Sequence, residues 1–399
     1  MKLSKNARNA IMIGTLCSVS YFAVYVARNT LGAVTPQMIG DGLSESYIGE
    51  ISSLYFLFYA FGQLINGFIG ERIKAKWMIS IGLLGGGITN LIFSLTVANK
   101  LGAMIAYGMT GFFLSMIYSP MTKVVSENTE PKHAVRCSLG YDFASFFGSP
   151  VAGLLAAFLV WGHVFAVSTV AMALMSVLIF TFFTVFERRG VVKYGQYKPK
   201  ERGVKNVKIL FKHQIVKYSL VSILTGVVRT SVVFWLPTYI NQHLEFSEGA
   251  SAQIFSAATL VLSATSFIAV FVYERLHHNM DLTVLLAFSF SSVFFLLTYF
   301  VQGQVTNLIT IVLAILCSNC AASMLWSRYC PGLRDTGMVS SATGFLDFLS
   351  YMASAAANLI FPKALGVIGW GGLILVWLSL MVVGVIIALP YDKMKVKRA

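Results

Sequence analysis

The chain has 399 residues, of which 57% are hydrophobic and only 12% are charged, and its mean hydropathy is +0.74. Roughly a quarter of the residues of soluble proteins are charged, so this composition excludes a soluble globular protein and indicates an integral membrane protein. The formal net charge of +14 could suggest a nucleic-acid partner, but the placement of the basic residues along the chain argues against one.

Apolar segments long enough to cross a bilayer occur twelve times along the chain. A helix needs about 20 apolar residues to cross a hydrocarbon core of about 30 Å. The predicted spans, numbered 1 to 12 in chain order, are 10–38, 47–69, 77–97, 101–126, 137–160, 163–186, 215–241, 250–273, 281–301, 305–327, 337–361 and 367–390. The sequence therefore predicts an all-α membrane protein with twelve transmembrane helices and with both termini on the same side.

Lysines and arginines at the ends of the spans are concentrated on one side of the predicted membrane. That side carries Lys2, Lys5, Arg8, Arg72, Lys74, Lys76, Lys132, Arg136, the segment 187–217, Arg275, Arg328, Arg334 and the tail from Lys393 to Arg398, whereas the other side carries Lys100 and Lys363. By the positive-inside rule, the first side and both termini are cytoplasmic. No Asn-x-Ser/Thr sequon occurs, which favours a bacterial protein of the cytoplasmic (inner) membrane.

The second half of the chain repeats a pattern of the first half in the same order. Arg28–Pro36 recurs 201 residues later as Arg229–Pro237, Glu71-Arg72 recurs 203 residues later as Glu274-Arg275, and the pair Lys123 and Asp142 recurs 205 residues later as Arg328 and Asp347. We therefore predict a six-helix bundle over 1–190, a cytoplasmic linker over 191–213, and a parallel second bundle over 214–399. Two pseudo-symmetric six-helix halves, with substrate held near the midplane, are the layout of major facilitator transporters.

Arg28 and Arg229 each lie inside an apolar span, near mid-membrane. Arg28 precedes Pro36 by eight residues, which is about 12 Å along a helix, and the repeat gives Arg229 the same depth. A charge at this depth costs on the order of 3 kcal/mol, so the pair indicates either structural salt bridges or an anion site. Arginine favours an oxyanion that binds in a bidentate way. Tyr21 and Tyr25 share the helix face of Arg28 and can offer hydroxyl donors.

Three stretches of the chain resemble the organophosphate:phosphate antiporters, a family of the major facilitator transporters. They are "YFAVYVARNTLGAVTPQM" in span 1, "FYAFGQLINGFIGER" in span 2 with its following loop, and "VVRTSVVFWLPTYI" in span 7. The resemblance implies a rocker-switch exchanger whose two arginines bind a phosphoryl group. It adds the candidate binding residues Tyr59, Gln63, Asp142, Ser145 and Tyr351, and the loop motif Gly67, Glu71 and Arg72.

The chain departs from the pattern of that family at five positions. Gln63 replaces a lysine, Ser145 a histidine, Asp142 an asparagine, Asp347 a glycine and Gly226 a tyrosine. Two cationic or titratable groups are therefore missing, and two acids are gained. These changes make a zwitterionic substrate, a monoanionic carboxylate or proton coupling plausible.

Two base–acid pairs are predicted at the cytoplasmic ends of neighbouring spans. Lys123 and Asp142 lie on spans 4 and 5, and Arg328 and Asp347 repeat that placement on spans 10 and 11. An ion pair partly offsets the cost of burying its two charges, so these pairs are candidate gates that re-form in each transport cycle. Static bridges, or a role for Asp142 as a proton site or a ligand of a substrate ammonium, are the alternatives.

The sequence holds no motif for ATP-driven or enzymatic chemistry. It has no Gly-x4-Gly-Lys-Ser/Thr loop, its histidines lack metal-ligand spacing, and Cys317 and Cys320 have no further ligand nearby. We expect no enzyme activity, cofactor or metal. We expect a monomeric secondary transporter of a small organic anion, in contact with the lipid bilayer. A proton-driven exporter of cationic drugs that uses Asp142 and Asp347, and a membrane sensor of phosphorylated metabolites, are the rival functions.

Overall fold

The computed structural model describes residues 4–69, 73–194, 210–211, 213–333 and 339–389. Its helices, in the order of the predicted spans, are Lys5–Gly40 (span 1), Glu45–Ile69 (span 2), Ala75–Thr96 (span 3), Lys100–Leu114 with Tyr118–Asn128 (span 4), Pro131–Phe158 (span 5), Trp161–Arg188 (span 6), Ile215–Gly226 with Val233–Gln242 (span 7), Glu248–Ser263 with Thr265–Arg275 (span 8), Met280–Phe300 (span 9), Gln304–Met324 with Cys330–Gly332 (span 10) and Val339–Ala388 (spans 11 and 12). The fold is all-α, as the sequence predicts.

The twelve predicted spans are confirmed. Ten helical segments of the described chain are long and apolar enough to cross a membrane. One of them, Ala342–Ala388, has 47 residues, which is more than twice the length that a bilayer requires. Gly369, at φ 65° and ψ −179°, interrupts this helix and divides it into spans 11 and 12. The remaining span is the helix Pro131–Phe158.

Spans 7 and 10 each contain a π-helical segment that the sequence does not predict. These segments are Val227–Val232, which includes Arg229, and Leu325–Tyr329, which includes Arg328. Span 4 is interrupted in a different way, because its first helix ends at Leu114 and its second begins at Tyr118. π-Helical turns are rare and often lie at functional sites.

The chain divides into two compact units. Unit 1 comprises Met1–Arg202 and Ser247–Leu260, and unit 2 comprises Gly203–Phe246 and Val261–Ala399. Unit 1 therefore contains the first part of span 8 in addition to spans 1 to 6. Most of the linker predicted over 191–213 lies outside the described residues.

In unit 1, span 5 packs against span 1 through small residues. A Cβ atom added at Gly140 would lie 2.9 Å from the Ser18 hydroxyl oxygen, and one added at Gly148 would lie 2.7 Å from the carbonyl carbon of Tyr25. The backbones approach this closely because glycine has no side chain, which is how membrane helices commonly pack. Span 5 thereby supports the part of span 1 that carries Tyr25 and Arg28.

In unit 2, span 11 packs against span 7 by close contacts and serine hydrogen bonds. The Ser222 hydroxyl donates to the Leu346 carbonyl over 2.7 Å, and the Ser354 hydroxyl donates to the Gly226 carbonyl over 3.0 Å. A Cβ atom at Gly226 would lie 2.7 Å from the Ser350 carbonyl oxygen. Span 11 therefore occupies the space beside Gly226, where the resembled pattern has a tyrosine.

Candidate substrate-binding site

Arg28 is surrounded by aromatic rings on spans 1 and 2. Its guanidinium carbon lies 5.4 Å from the ring centroid of Tyr25, 5.8 Å from that of Phe56 and 5.1 Å from that of Tyr59. Tyr25 precedes Arg28 by three residues, so helix geometry places both on one face. The rings attract the cation without carrying a net opposite charge. They can therefore orient the guanidinium while leaving it able to bind an anion.

The aromatic cluster around Arg28 extends through Tyr21 to spans 4 and 5. The Tyr21 ring lies 4.9 Å from the Tyr25 ring, 5.6 Å from the Tyr118 ring and 6.1 Å from the Tyr141 ring. The structure thus brings together the predicted residues Tyr21, Tyr25, Arg28 and Tyr59. Tyr118 and Tyr141 were not predicted. Tyr141 adjoins the candidate Asp142, and that adjacency is the signal in the sequence that could have identified it.

Arg229 lies in the π-helical segment of span 7 and faces an indole of span 10. Its guanidinium carbon is 5.9 Å from the ring of Trp326, which belongs to the π-helical segment of that span. Within the described parts of the chain, no carboxylate pairs with Arg229. The side chain is partly exposed. Unit 2 therefore presents a guanidinium inside a spanning segment with an aromatic neighbour, as unit 1 does.

The other predicted binding residues are placed as follows. Gln63 lies one helical turn after Tyr59 on span 2 and is partly exposed, and Ser145 lies one turn before Gly148 on span 5 and is also partly exposed. Tyr351 is buried on span 11, with 4% of its surface exposed. The Asp142 side chain lies outside the described part of the structure. The binding roles of these residues remain predictions.

Replacing Gln63 by lysine is expected to shift selectivity toward more highly charged anions. Gln63 shares a helix face with Tyr59, whose ring contacts the Arg28 guanidinium. An ammonium there adds a cation to the neighbourhood of Arg28, so a dianionic ester should gain affinity over a monoanion, by roughly tenfold for about 1.4 kcal/mol of added attraction. Competition between dianionic and monoanionic anions for uptake measures the shift.

The control for this substitution is Gln302→Lys, at an exposed position between spans 9 and 10. It adds the same charge to the protein away from Arg28. An equal change of selectivity in both variants would show a general effect of net charge. An unchanged profile for Gln63→Lys would place the residue in packing rather than in the site.

The predicted gating residues have different neighbours in the two units. The Arg328 guanidinium carbon lies 5.0 Å from the Tyr273 ring of span 8, and Arg328 forms no ion pair with Asp347 among the described residues. This arrangement differs from the predicted pair. Arg328 is exposed, so water stabilises its charge and a carboxylate partner is not required. Lys123 lies on the second helix of span 4 and is partly buried.

Two further predictions concern the loop motif and metal binding. Glu71, Arg72 and the environment of Gly67 lie outside the described residues. Among the residues that are described, no group of three His, Cys, Asp or Glu side chains is arranged to hold a metal ion.

Relatives of known name include both transporters and a sensor. The chain is 21% identical over 266 residues to the glycerol-3-phosphate transporter of Bacillus subtilis (strain 168), an alignment that covers 61% of this chain and 60% of that protein. It is 28% identical over 81 residues to the membrane sensor protein UhpC of Escherichia coli (strain K12), which covers 20% and 18%. It is 23% identical over 109 residues to a probable hexose phosphate transport protein of Chlamydia pneumoniae, which covers 27% and 24%. The chain thus matches less than two thirds of the length of each of these proteins.

Solved structures share the fold. The crystal structure of a D-xylose-proton symporter superposes with a TM-score of 0.74 at 12% identity and covers 97% of this chain and 98% of that one. A bacterial homologue of the human lysosomal transporter Spinster, in an inward-facing and unoccupied conformation, gives the same TM-score and identity, with 97% and 95% covered. The sequence model of the major facilitator superfamily matches residues 17–358. The chain belongs to the major facilitator superfamily.

Proposed function

We propose that the protein is a secondary active transporter of a small organic anion, an organophosphate or a related phosphonate or carboxylate. Transport occurs by alternating access, as antiport or coupled to protons. The observation that carries this proposal is the Arg229 guanidinium, which lies inside span 7 without a carboxylate partner among the described residues. A charge at this depth is costly and most often serves a substrate or ion.

The substrate's anionic group binds to Arg28 and Arg229 in this proposal. The two arginines occupy equivalent places in the sequence repeat, and aromatic rings contact both guanidinium groups. Guanidinium groups bind phosphate and carboxylate oxygens through two parallel hydrogen bonds. An anion would supply the opposite charge that a cation–π contact does not.

The names of the relatives support an organophosphate. Two of them are described as transporters of glycerol-3-phosphate and of hexose phosphate. Gln63, Ser145 and Gly226 depart from the resembled pattern, so the carbon skeleton of the substrate is expected to differ from glycerol phosphate and glucose phosphate. The proposed function therefore specifies the anionic group of the substrate and not the skeleton attached to it.

Reconstitution tests the function directly. Purified protein in proteoliposomes loaded with phosphate, phosphate esters or carboxylates is expected to exchange a labelled external anion for an internal one. Unlabelled anions should compete, and cationic drugs should not. Uptake of cationic drugs driven by a proton gradient, without anion exchange, would instead identify the exporter that uses Asp142 and Asp347.

A sensor of phosphorylated metabolites is the second candidate function. It is favoured by the similarity to a protein described as a membrane sensor. The same proteoliposomes separate the two functions, because a transporter exchanges anions without any partner protein. Ligand binding, measured as a rise of the melting temperature, without measurable exchange would favour the sensor.

We also propose a monomer in the bacterial inner membrane with both termini cytoplasmic. The positive-inside rule supports this orientation. Lys74 and Lys76, both on the predicted cytoplasmic side, form salt bridges with Glu187 at the end of span 6. Reporter fusions that fluoresce only in the cytoplasm should be active at either terminus.

Asp142→Asn separates the proposed gate from a proton site. If Asp142 pairs with Lys123, the substitution strands a cation, and neutralising Lys123 as well should restore part of the transport, since the two effects are coupled. If Asp142 carries the coupled proton, the substitution should spare exchange of labelled for unlabelled substrate and abolish uphill, pH-driven uptake. Both modes of transport are measured in the single and double variants. Wild-type behaviour in both modes would remove Asp142 from the transport cycle.

A further inference from the structure

An aromatic side chain lies at the interruption of span 4, and another lies at that of span 10. Tyr118 is the first residue of the second helix of span 4, and Trp326 is the second residue of the π-helical segment of span 10. They are 208 positions apart in the sequence, close to the spacing of the repeat. Interrupted helices at corresponding places in two halves are typical of substrate sites in transporters.

In unit 1, Tyr118 is the accessible end of a series of rings that starts at Arg28. Tyr25 contacts the Arg28 guanidinium, Tyr21 packs on Tyr25, and Tyr118 packs on Tyr21 with an angle of 35° between the ring planes. Tyr21 is 7% exposed and Tyr141 is 2% exposed, whereas Tyr118 is 38% exposed. The surface that this cluster offers to a ligand is therefore mainly that of Tyr118.

In unit 2, the corresponding indole contacts the arginine directly. Trp326 lies 5.9 Å from the guanidinium carbon of Arg229 and is partly exposed. On the other side of span 7, the backbone of Ser350 fills the space beside Gly226. The neighbour that the structure gives to Arg229 is therefore a flat aromatic surface, and the tyrosine hydroxyl of the resembled pattern is absent from this position.

We propose that Tyr118 and Trp326 are specificity-determining residues that stack on an aromatic ring carried by the anionic substrate. This inference rests on the proposed function, since it assigns the skeleton attached to the anion that Arg28 and Arg229 bind. A flat ring attached to a phosphate or carboxylate can stack on an aromatic side chain while its anionic group reaches the guanidinium. A saturated ring of the same size lacks the π surface that this contact uses.

The test compares two probes that differ only in the aromaticity of their ring. Phenyl phosphate and cyclohexyl phosphate are titrated as competitors of labelled inorganic phosphate in proteoliposomes. Benzoate and cyclohexanecarboxylate repeat the comparison for carboxylates. For the wild-type protein, we expect the aromatic probe to compete about tenfold better than the saturated one. The measured quantity is the ratio of the two inhibition constants, which cancels any change in the binding of the anionic group.

Substitutions assign the preference to the two side chains. Trp326→Leu and Tyr118→Leu are each expected to bring the ratio to within about twofold of unity, and Trp326→Phe and Tyr118→Phe should retain most of the preference, because phenylalanine keeps a ring. The matched control is Trp77→Leu, since Trp77 is 48% exposed and contacts Phe180 at the end of span 3. That variant should keep the wild-type ratio.

The outcomes distinguish this inference from the proposed function. Competition by both probes with a wild-type ratio near unity, or an unchanged ratio in both leucine variants, would overturn the inference and leave anion transport intact. Failure of every phosphate and carboxylate to compete or exchange would overturn the proposed function, and the inference with it. Loss of preference in the leucine variants together with its retention in the phenylalanine variants would establish the aromatic subsite.

Discussion

Replacing Arg28 or Arg229 by lysine is expected to reduce anion transport at least about 100-fold while leaving the protein folded. Lysine keeps the charge but loses the planar fork that binds two oxygens at once. A shift of about 1 Å in a bound group can reduce turnover by about two orders of magnitude. Initial rates of anion exchange in proteoliposomes measure the effect, and thermal unfolding of the purified variants measures folding.

The surroundings of the two arginines explain why folding should survive the change. Lysine pays the same order of insertion cost as arginine at mid-membrane. The rings of Tyr25 and Tyr59 around Arg28, and the indole of Trp326 beside Arg229, also attract an ammonium. The difference between wild type and variant therefore lies mainly in the geometry that an anion meets.

Arg188→Lys is the matched control for this experiment. Arg188 is exposed in the last turn of span 6, where lysine would retain the charge and its interaction with the helix dipole. Its transport rate should equal that of the wild type. Wild-type uptake by both Arg28→Lys and Arg229→Lys would refute the oxyanion site. Loss of folded protein in those two variants would instead support structural salt bridges.

The sequence predicts the spans and the unit 1 cluster because both depend on local chemistry. Apolar length determines the spans, and helical spacing places Tyr21, Tyr25 and Arg28 on one face. The contact of Tyr59 with Arg28 follows from the family resemblance of span 2. None of these inferences requires knowledge of how distant segments pack.

The π-helical segments and the contacts of Tyr118 and Trp326 could not be predicted in this way. An apolar run that contains Arg229 has the same composition whether its turn is α- or π-helical. The one extra residue per turn changes which side chain faces span 10, and it is this register that places Trp326 beside Arg229. The position of Arg328 over Tyr273 likewise depends on the packing of span 10 against span 8.

Replacing Gly148 by alanine is expected to destabilise unit 1 by about 2–3 kcal/mol, as overpacking does in a close-packed core. The added Cβ atom would meet the Tyr25 side chain, and it would lie 2.7 Å from the Tyr25 carbonyl carbon and 3.0 Å from the Val26 nitrogen. Backbone atoms cannot rotate away as a side chain can, so span 5 must separate from span 1. That movement displaces the turn that carries Tyr25 and Arg28, so anion exchange should fall together with the melting temperature.

Gly162→Ala is the control, because a Cβ atom at Gly162 would have no neighbouring atom within 4 Å. Alanine is favoured over glycine in a helix by up to about 1 kcal/mol, so this variant should be unchanged or slightly more stable. The two substitutions add the same methyl group, and their expected effects on the melting temperature are opposite in sign. A rise of the melting temperature in both would mean that spans 1 and 5 have room for a side chain at Gly148. The glycine would then have no part in holding Arg28 in place, and support for the arginine would rest on the aromatic rings of spans 1 and 2 alone.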